Sequence, residues 1–193
     1  MQKKHNKEEI IEVGQELFRK RGFNNTGIDD ILKASGTPKG SFYNFFKSKE
    51  EFGVEVLKHY TDRQYNYVKD LLENFSLTPL PRLKAFYNAL IKGNLQEGCR
   101  YGCLVGNMTQ EMGGISDQIS SSASDNLGRI TTLIGECIKE GQEKTEIRDD
   151  YSAEELADFV HNSFYGAIMR SKAGRREQPF QLFFEMIFSF LKK

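Results

Sequence analysis

The chain has 193 residues, 38% of them hydrophobic and 28% charged, with 27 basic against 27 acidic side chains, three cysteines and no tryptophan. That composition suits a compact protein that buries a sizeable core in one or two domains, and it excludes a disordered polyelectrolyte. No run of eighteen or more apolar residues and no charged-then-apolar leader is present, so the expectation is a cytoplasmic protein without a membrane span.

Asn6 as a cap, with Glu9 three residues on, marks a helix from Lys7 to about Lys20 whose apolar stripe is Ile10, Ile11, Val13, Leu17 and Phe18. Phe23 packs the turn that follows. Thr26 is then read as the cap of a second helix, with Asp29 and Asp30 in its first turn and Ile28, Ile31, Leu32 and Ala34 on its apolar side. Gly36 ends it by taking positive φ. Thr37 is a second cap and Pro38 a favourable first helical residue, so a short helix is expected to begin at Pro38. It must be short, because Ser48 with Glu51 forms a capping box for a helix starting at Lys49. Two short helices and the start of a third within residues 26–51 are the layout of a helix-turn-helix.

The helix from Lys49 is expected to run to about Phe75 with Phe52, Val56, Tyr60, Tyr67, Leu71 and Phe75 on one side, joining head to body. Thr78, Pro79 and Pro81 break it, and Leu83, Phe86, Tyr87, Leu90, Ile91 and Leu95 mark the next helix. A glycine-crowded stretch with a short helix follows. Further helices are expected over 116–143, 152–172 and 178–192. With no strand-like alternation, the fold class is all-α: a three-helix helix-turn-helix DNA-binding domain over 1–48 and a helical effector-sensing and dimerisation domain over 49–193.

Residues 1–50 carry ten Lys or Arg against seven Asp or Glu, whereas the remainder carries seventeen against twenty. The basic end is the helix-turn-helix end, the electrostatic footprint of a DNA-reading head. Its outward face is expected to hold Thr37, Lys39, Gly40, Ser41, Tyr43, Asn44, Lys47 and Lys49. Thr26, Lys39, Tyr43, Lys47 and Lys49 are candidates for phosphate contacts, and Ser41, Thr37 and Asn44 for base edges. Gly40 would let the backbone approach DNA closely, while Phe42 and Phe46 are expected to point inward.

The segment KGSFYNFFKSKEEF, from Lys39 to Phe52, resembles the N-terminal domain of TetR-family repressors. That resemblance implies a homodimer that binds a palindromic operator in double-stranded DNA and releases it on meeting an inducer. Two departures are Thr37 and Pro38 at the start of the recognition helix, and Phe45 where the family often has a hydroxyl or an imidazole.

The last two helices carry wide apolar stripes: Phe159, Val160, Phe164, Ala167 and Ile168 on one, Phe180, Phe183, Phe184, Ile187, Phe188 and Leu191 on the other. Phe159, Val160, Phe180, Phe183, Phe184, Ile187, Phe188 and Leu191 are therefore expected at a twofold dimer interface, burial within one chain being the alternative.

Cys137 falls on an apolar stripe and is expected in the core. Cys99 and Cys103 lie in EGCRYGCLVGNMTQEM beside Arg100, at the start of the short helix, where a cationic neighbour and a helix N-terminus favour the thiolate. Plain packing and zinc binding are the rival readings, but the spacing of four with no nearby His is a weak zinc signal, and no metal or cofactor is expected. PKGSFYNFF, KSKEEFGVEVLKHY and GCLVGNMTQEM together resemble the electrophile-sensing branch of the TetR family, whose members control reductases for N-ethylmaleimide, quinones or reactive aldehydes. The resemblance maps the sensing position onto Cys103, leaves Cys99 as an additional thiol, and makes Lys172 a residue that tunes or traps the modified cysteine. A pocket lined by Phe86, Tyr87, Met108, Met112 and Phe164 binding an apolar small molecule is the other reading. No hydrolase, P-loop or metalloprotease motif occurs, and His5, His59 and His161 are scattered, so an enzyme is not expected. A thiol peroxidase built on Cys99 and Cys103, and a helical interaction module, are the remaining alternatives.

Overall fold

A computed structural model describes residues 6–193 and, among them, nine helices, no strand and a single isolated bridge between Ile147 and Lys192. His5 lies outside the described residues. The helices are α1 (Lys7–Arg21), α2 (Ile28–Ser35), α3 (Lys39–Phe45), α4 (Lys49–Leu72), α5 (Pro79–Gln96), α6 (Leu104–Met112), α7 (Asp117–Glu143), α8 (Ala153–Gly174) and α9 (Gln178–Leu191). The chain packs as two compact units, one built from the sequence up to Arg63 with Cys103–Asn126, the other from Gln64–Gly102 with Leu127–Lys193. None of the helices is long and apolar enough to cross a membrane, among the described residues.

In the first unit the local signals act much as their chemistry dictates. The Asn6 side chain accepts from the Glu8 N–H at 3.1 Å, and α1 stops at Gly22, whose φ of 87° lets its N–H return to the Phe18 carbonyl. The start of α2 departs from expectation. Gly27, not Thr26, is the N-cap, and the Asp30 carboxylate accepts the Gly27 N–H at 2.9 Å. Gly36 closes α2 in the left-handed region, at φ 66°. Helix α3 begins at Lys39 rather than Pro38, because Pro38 keeps an extended ψ of 144°. The Ser48 hydroxyl accepts the Glu51 N–H at 3.0 Å at the head of α4, and the Glu51 carboxylate accepts the Lys47 N–H at 2.8 Å.

The core of this unit is aromatic. Phe52 of α4 meets Phe18 of α1 and Phe42 and Phe46 at the recognition helix, with ring centroids 5.7, 5.3 and 4.8 Å away. Such pairs add about 0.5–1.5 kcal/mol each to the burial term. Phe52 and Val56 thus belong to the packing of the helix-turn-helix, which is why the first unit does not stop at residue 48.

Along α4 the buried residues are Phe52, Val56, Leu57, Thr61, Val68 and Leu72, while Tyr67 is half exposed and Phe75, beyond the helix end, is 74% exposed. The expected stripe advanced in steps of about four and drifted off a 3.6-residue period after one and a half turns. The second unit ends α4 with Arg82, a buried guanidinium that donates to the Leu72 carbonyl at 2.8 Å and pairs with Glu140 of α7. Helix α8 starts with a full capping box, the Ser152 hydroxyl accepting the Glu155 N–H and the Glu155 carboxylate the Ser152 N–H.

Around Tyr87 of α5 gather Phe86, Phe164, Phe183 and Phe188, with centroids 4.6–6.1 Å from its ring. This cluster corrects the expectation for the last two helices. Val160, Phe180, Phe183, Ile187, Phe188 and Leu191 are buried within the chain and Phe184 is half-buried; of the eight residues expected at a dimer interface, Phe159 alone is largely exposed. The apolar side chains left outside on these helices are Phe159 and Met169 on α8 and Leu182 and Met186 on α9.

Candidate nucleic-acid interface and sensing helix

Helix α3 is seven residues long and amphipathic in an unusual sense: its inner side is a pair of phenyl rings and its outer side is small, polar and cationic. Phe42 and Phe46 are buried, at 0% and 1% exposure. Opposite them Lys39, Gly40, Tyr43, Asn44 and Lys47 are exposed and Ser41 is half-buried. Nothing stands within 4 Å of a β-carbon built on Gly40, so the helix backbone there is open to close approach. The face offers ammonium groups, a phenol, a hydroxyl and a carboxamide, the group types that meet phosphate oxygens and base edges.

Three of the expected contacts point elsewhere. Thr26 is fully buried, and its hydroxyl donates to the Gly22 carbonyl at 2.8 Å because the residue lies inside the turn rather than at the cap. Thr37 is 5% exposed, with its hydroxyl accepting from Ser35 at 2.9 Å. Lys49 folds over the Phe23 ring, 4.3 Å from its centroid; burial lowers its pKa against the pull of Glu111 and Asp30. The structure adds Phe45, 38% exposed on the flank of α3. Its alternation with the inward Phe42 and Phe46 was a visible signal of an outward ring.

The cysteines separate in the same way. Cys103 is the N-cap of α6, half-buried, its carbonyl accepting the Asn107 N–H at 2.9 Å. Cys99 is buried in the second unit at a left-handed φ of 54°, its thiol 3.9 Å from the Arg176 carbonyl; burial, aided by Glu177, pushes that thiol up. Cys137 is buried beside the Pro79 carbonyl and its thiol is pushed up to about 12 by burial. All three are free of disulfides. Lys172 is exposed near the end of α8. Phe86, Tyr87 and Phe164 sit in the aromatic cluster of the second unit, whereas Met108 and Met112 belong to the first, Met108 buried and Met112 half-buried.

The histidines hold no common site. His59 lies 3.4 Å from Gln15, and His161 is 5% exposed with its Nδ1 3.4 Å from the Tyr87 hydroxyl and no partner for Nε2 among the described residues. Burial lowers the His161 pKa to about 4, so the ring is neutral near pH 7.

With this geometry in place, comparison with known proteins is specific. Residues 10–56 match the model of bacterial regulatory proteins of the tetR family, and residues 79–187 match that of the tetracyclin repressor-like C-terminal domain. The chain is 35% identical to the HTH-type transcriptional repressor DhaR of Mycobacterium sp. (strain GP1) over 96% of its length and 91% of that protein. It is 26% identical to the HTH-type transcriptional repressor NemR of Escherichia coli (strain K12), over 91% of this chain and 88% of that one. A crystal structure of a regulatory protein TetR from Rhodobacter sphaeroides superposes with a TM-score of 0.89 at 31% identity, covering 95% of this chain and 97% of the other. Family members bind DNA and small-molecule ligands and are typically dimeric. The chain belongs to the TetR family, and it is a DNA-binding transcriptional regulator, not an enzyme.

Proposed function

We propose that the protein is a repressor that pairs as a homodimer on a palindromic operator and leaves it when a reactive electrophile modifies Cys103. The observation that carries the sensing part is the contrast among the three thiols. Cys103 is half-exposed at a helix N-cap, where the terminal N–H groups favour a thiolate, whereas Cys99 and Cys137 are buried and their thiols are pushed up. The resemblance of GCLVGNMTQEM to the electrophile-sensing branch supports the same choice.

In this reading Lys39, Tyr43 and Lys47 contact phosphates, Ser41 and Asn44 meet base edges, and Gly40 admits the backbone. Asn44 is suited to pair bidentately with adenine. Two copies meet through Phe159, Met169, Leu182 and Met186, whose exposure leaves α8 and α9 apolar on the outside. A twofold pair would set its recognition helices about 34–36 Å apart, on successive major-groove faces.

Fluorescence anisotropy of the reduced protein on the DNA upstream of its own gene, before and after N-ethylmaleimide, tests the proposal. Tight binding that the reagent abolishes in the wild type but not in Cys103→Ser is the expected result. Tight binding that the reagent leaves intact would retain the repressor and replace the electrophile with a reversibly bound apolar inducer.

A further inference from the structure

Leu104, Met108 and Glu111 follow one another at steps of four and three, so they share a face of α6. Leu104 and Met108 are buried at 0% and 1% exposure. Met108 and the Phe23 ring both close over Gly53 of α4, where a β-carbon would stand 3.3 Å from the methionine methyl and 2.7 Å from the ring. Glu111 extends this face by one turn, and its carboxylate sits on the backbone of the turn between α1 and α2. The Phe23 N–H donates to Oε1 at 3.2 Å and the Asn24 N–H to Oε2 at 2.8 Å. Gly22 makes the approach possible, since a β-carbon there would lie 2.7 Å from Oε1. The Lys49 ammonium, stacked on Phe23, is attracted to the same carboxylate. A second tie lies just beyond α6: the Ser116 hydroxyl donates to the Glu50 carboxylate and accepts the Ile119 N–H at the start of α7.

One N–H on each oxygen fixes a carboxylate in rotation as well as in position. A helix held this way cannot slide or turn by a fraction of a residue without breaking at least one bond, so the joint is either made or broken. That is the kind of discrete element through which two sites can be coupled. The turn it grips leads directly into α2, and α2 leads into α3.

We infer that Glu111 is a positioning residue that couples α6 to the helix-turn-helix, so that DNA binding and the placement of α6 depend on each other. The inference rests on the reading of α3 as the DNA-contacting helix and on no particular inducer. Coupling is reciprocal: if moving α6 changes DNA affinity, DNA must change the freedom of α6 by the same factor.

The test uses the full-length protein and a duplex selected by the wild type from a random-sequence pool. Hydrogen–deuterium exchange of residues 104–112 is measured with and without this duplex for the wild type, Glu111→Gln and Glu111→Asp. Gln is isosteric but brings an N–H against one of the two amides; Asp keeps the charge but is one methylene too short to reach both. In the wild type, DNA is expected to slow α6 exchange by at least about fivefold, the lower end of usual couplings. Both variants should lose that slowing while retaining the wild-type melting temperature and the DNA-induced protection of α3, which a merely structural role for Glu111 would not separate. Slowing of α6 that persists unchanged in the variants, or is absent from the wild type, overturns the inference. Should Gln fail to fold, Asp provides the same comparison.

Discussion

Gly14 of α1 and Phe52 of α4 approach so closely that a β-carbon on the glycine would stand 2.2 Å from the phenyl ring. The ring cannot retreat, because Phe18, Phe42 and Phe46 surround it. Gly14→Ala is therefore expected to destabilise the head by about 1–3 kcal/mol, despite the better helix propensity of alanine. Urea denaturation of the variant would show it; an unchanged or raised midpoint would mean that the two helices can separate cheaply.

The outward and inward polar residues of the head should behave differently towards salt. Lys47→Ala is expected to weaken binding to all sequences and to flatten the plot of log affinity against log salt by about one unit, as the loss of one phosphate contact requires. Thr26→Val should leave that slope alone and cost about 1 kcal/mol of stability through the lost bond to Gly22. Titrating both variants at several salt concentrations, with melting curves beside them, distinguishes the two roles.

His161 makes stability depend on pH. Its folded pKa of about 4 lies below the ordinary 6.5, so the unfolded chain takes up a proton that the folded one refuses. Its contribution is complete above about pH 6.5 and is lost as pH falls from there to about 4, at a limiting loss of about 3 kcal/mol. The Tyr87 hydroxyl, which faces Nδ1, stays protonated throughout, since burial raises its pKa. Unfolding free energies at pH 7 and pH 5 should differ less in His161→Leu than in the wild type; equal differences would assign the acid sensitivity to other groups.

Thiol reactivity should divide one to two. With Cys99 and Cys137 buried and their thiols pushed up, the native reduced protein is expected to show one fast-reacting thiol towards a chromogenic disulfide near neutral pH, and Cys103→Ser none. Two or three fast thiols in the native protein would remove the basis for choosing Cys103.

Substitutions on α8 and α9 should separate assembly from folding. Met186→Glu and Leu182→Glu place charge on exposed apolar positions and are expected to yield a folded monomer by light scattering, whereas Phe188→Ala should cost about 3–5 kcal/mol of stability. A Met186→Glu protein that remained dimeric would move the interface off this face.

What could be read along the chain was what neighbouring residues decide among themselves. Asn6, Gly36, the Ser48–Glu51 and Ser152–Glu155 boxes and the 3.6-residue recurrence of apolar side chains act within one or two turns, so the helices and the helix-turn-helix were legible without coordinates. Burial direction was less so. Thr26 and Thr37 have the same short hydroxyl side chain whether they cap a helix, meet a phosphate or fill a turn, and only the packing of Phe23, Phe42 and Phe52 around them turned both inward. Likewise, the stripe of α9 required burial for Phe183, Ile187 and Phe188, but an apolar residue carries no mark saying whether its cover comes from its own chain or from a second copy; the ring of Tyr87 supplied that cover. Furthest out of reach was the carboxylate of Glu111 on the amides of Phe23 and Asn24, nearly ninety residues away in sequence. A backbone N–H is the same group at every position, so nothing in the residue types could announce that joint before the chain had folded.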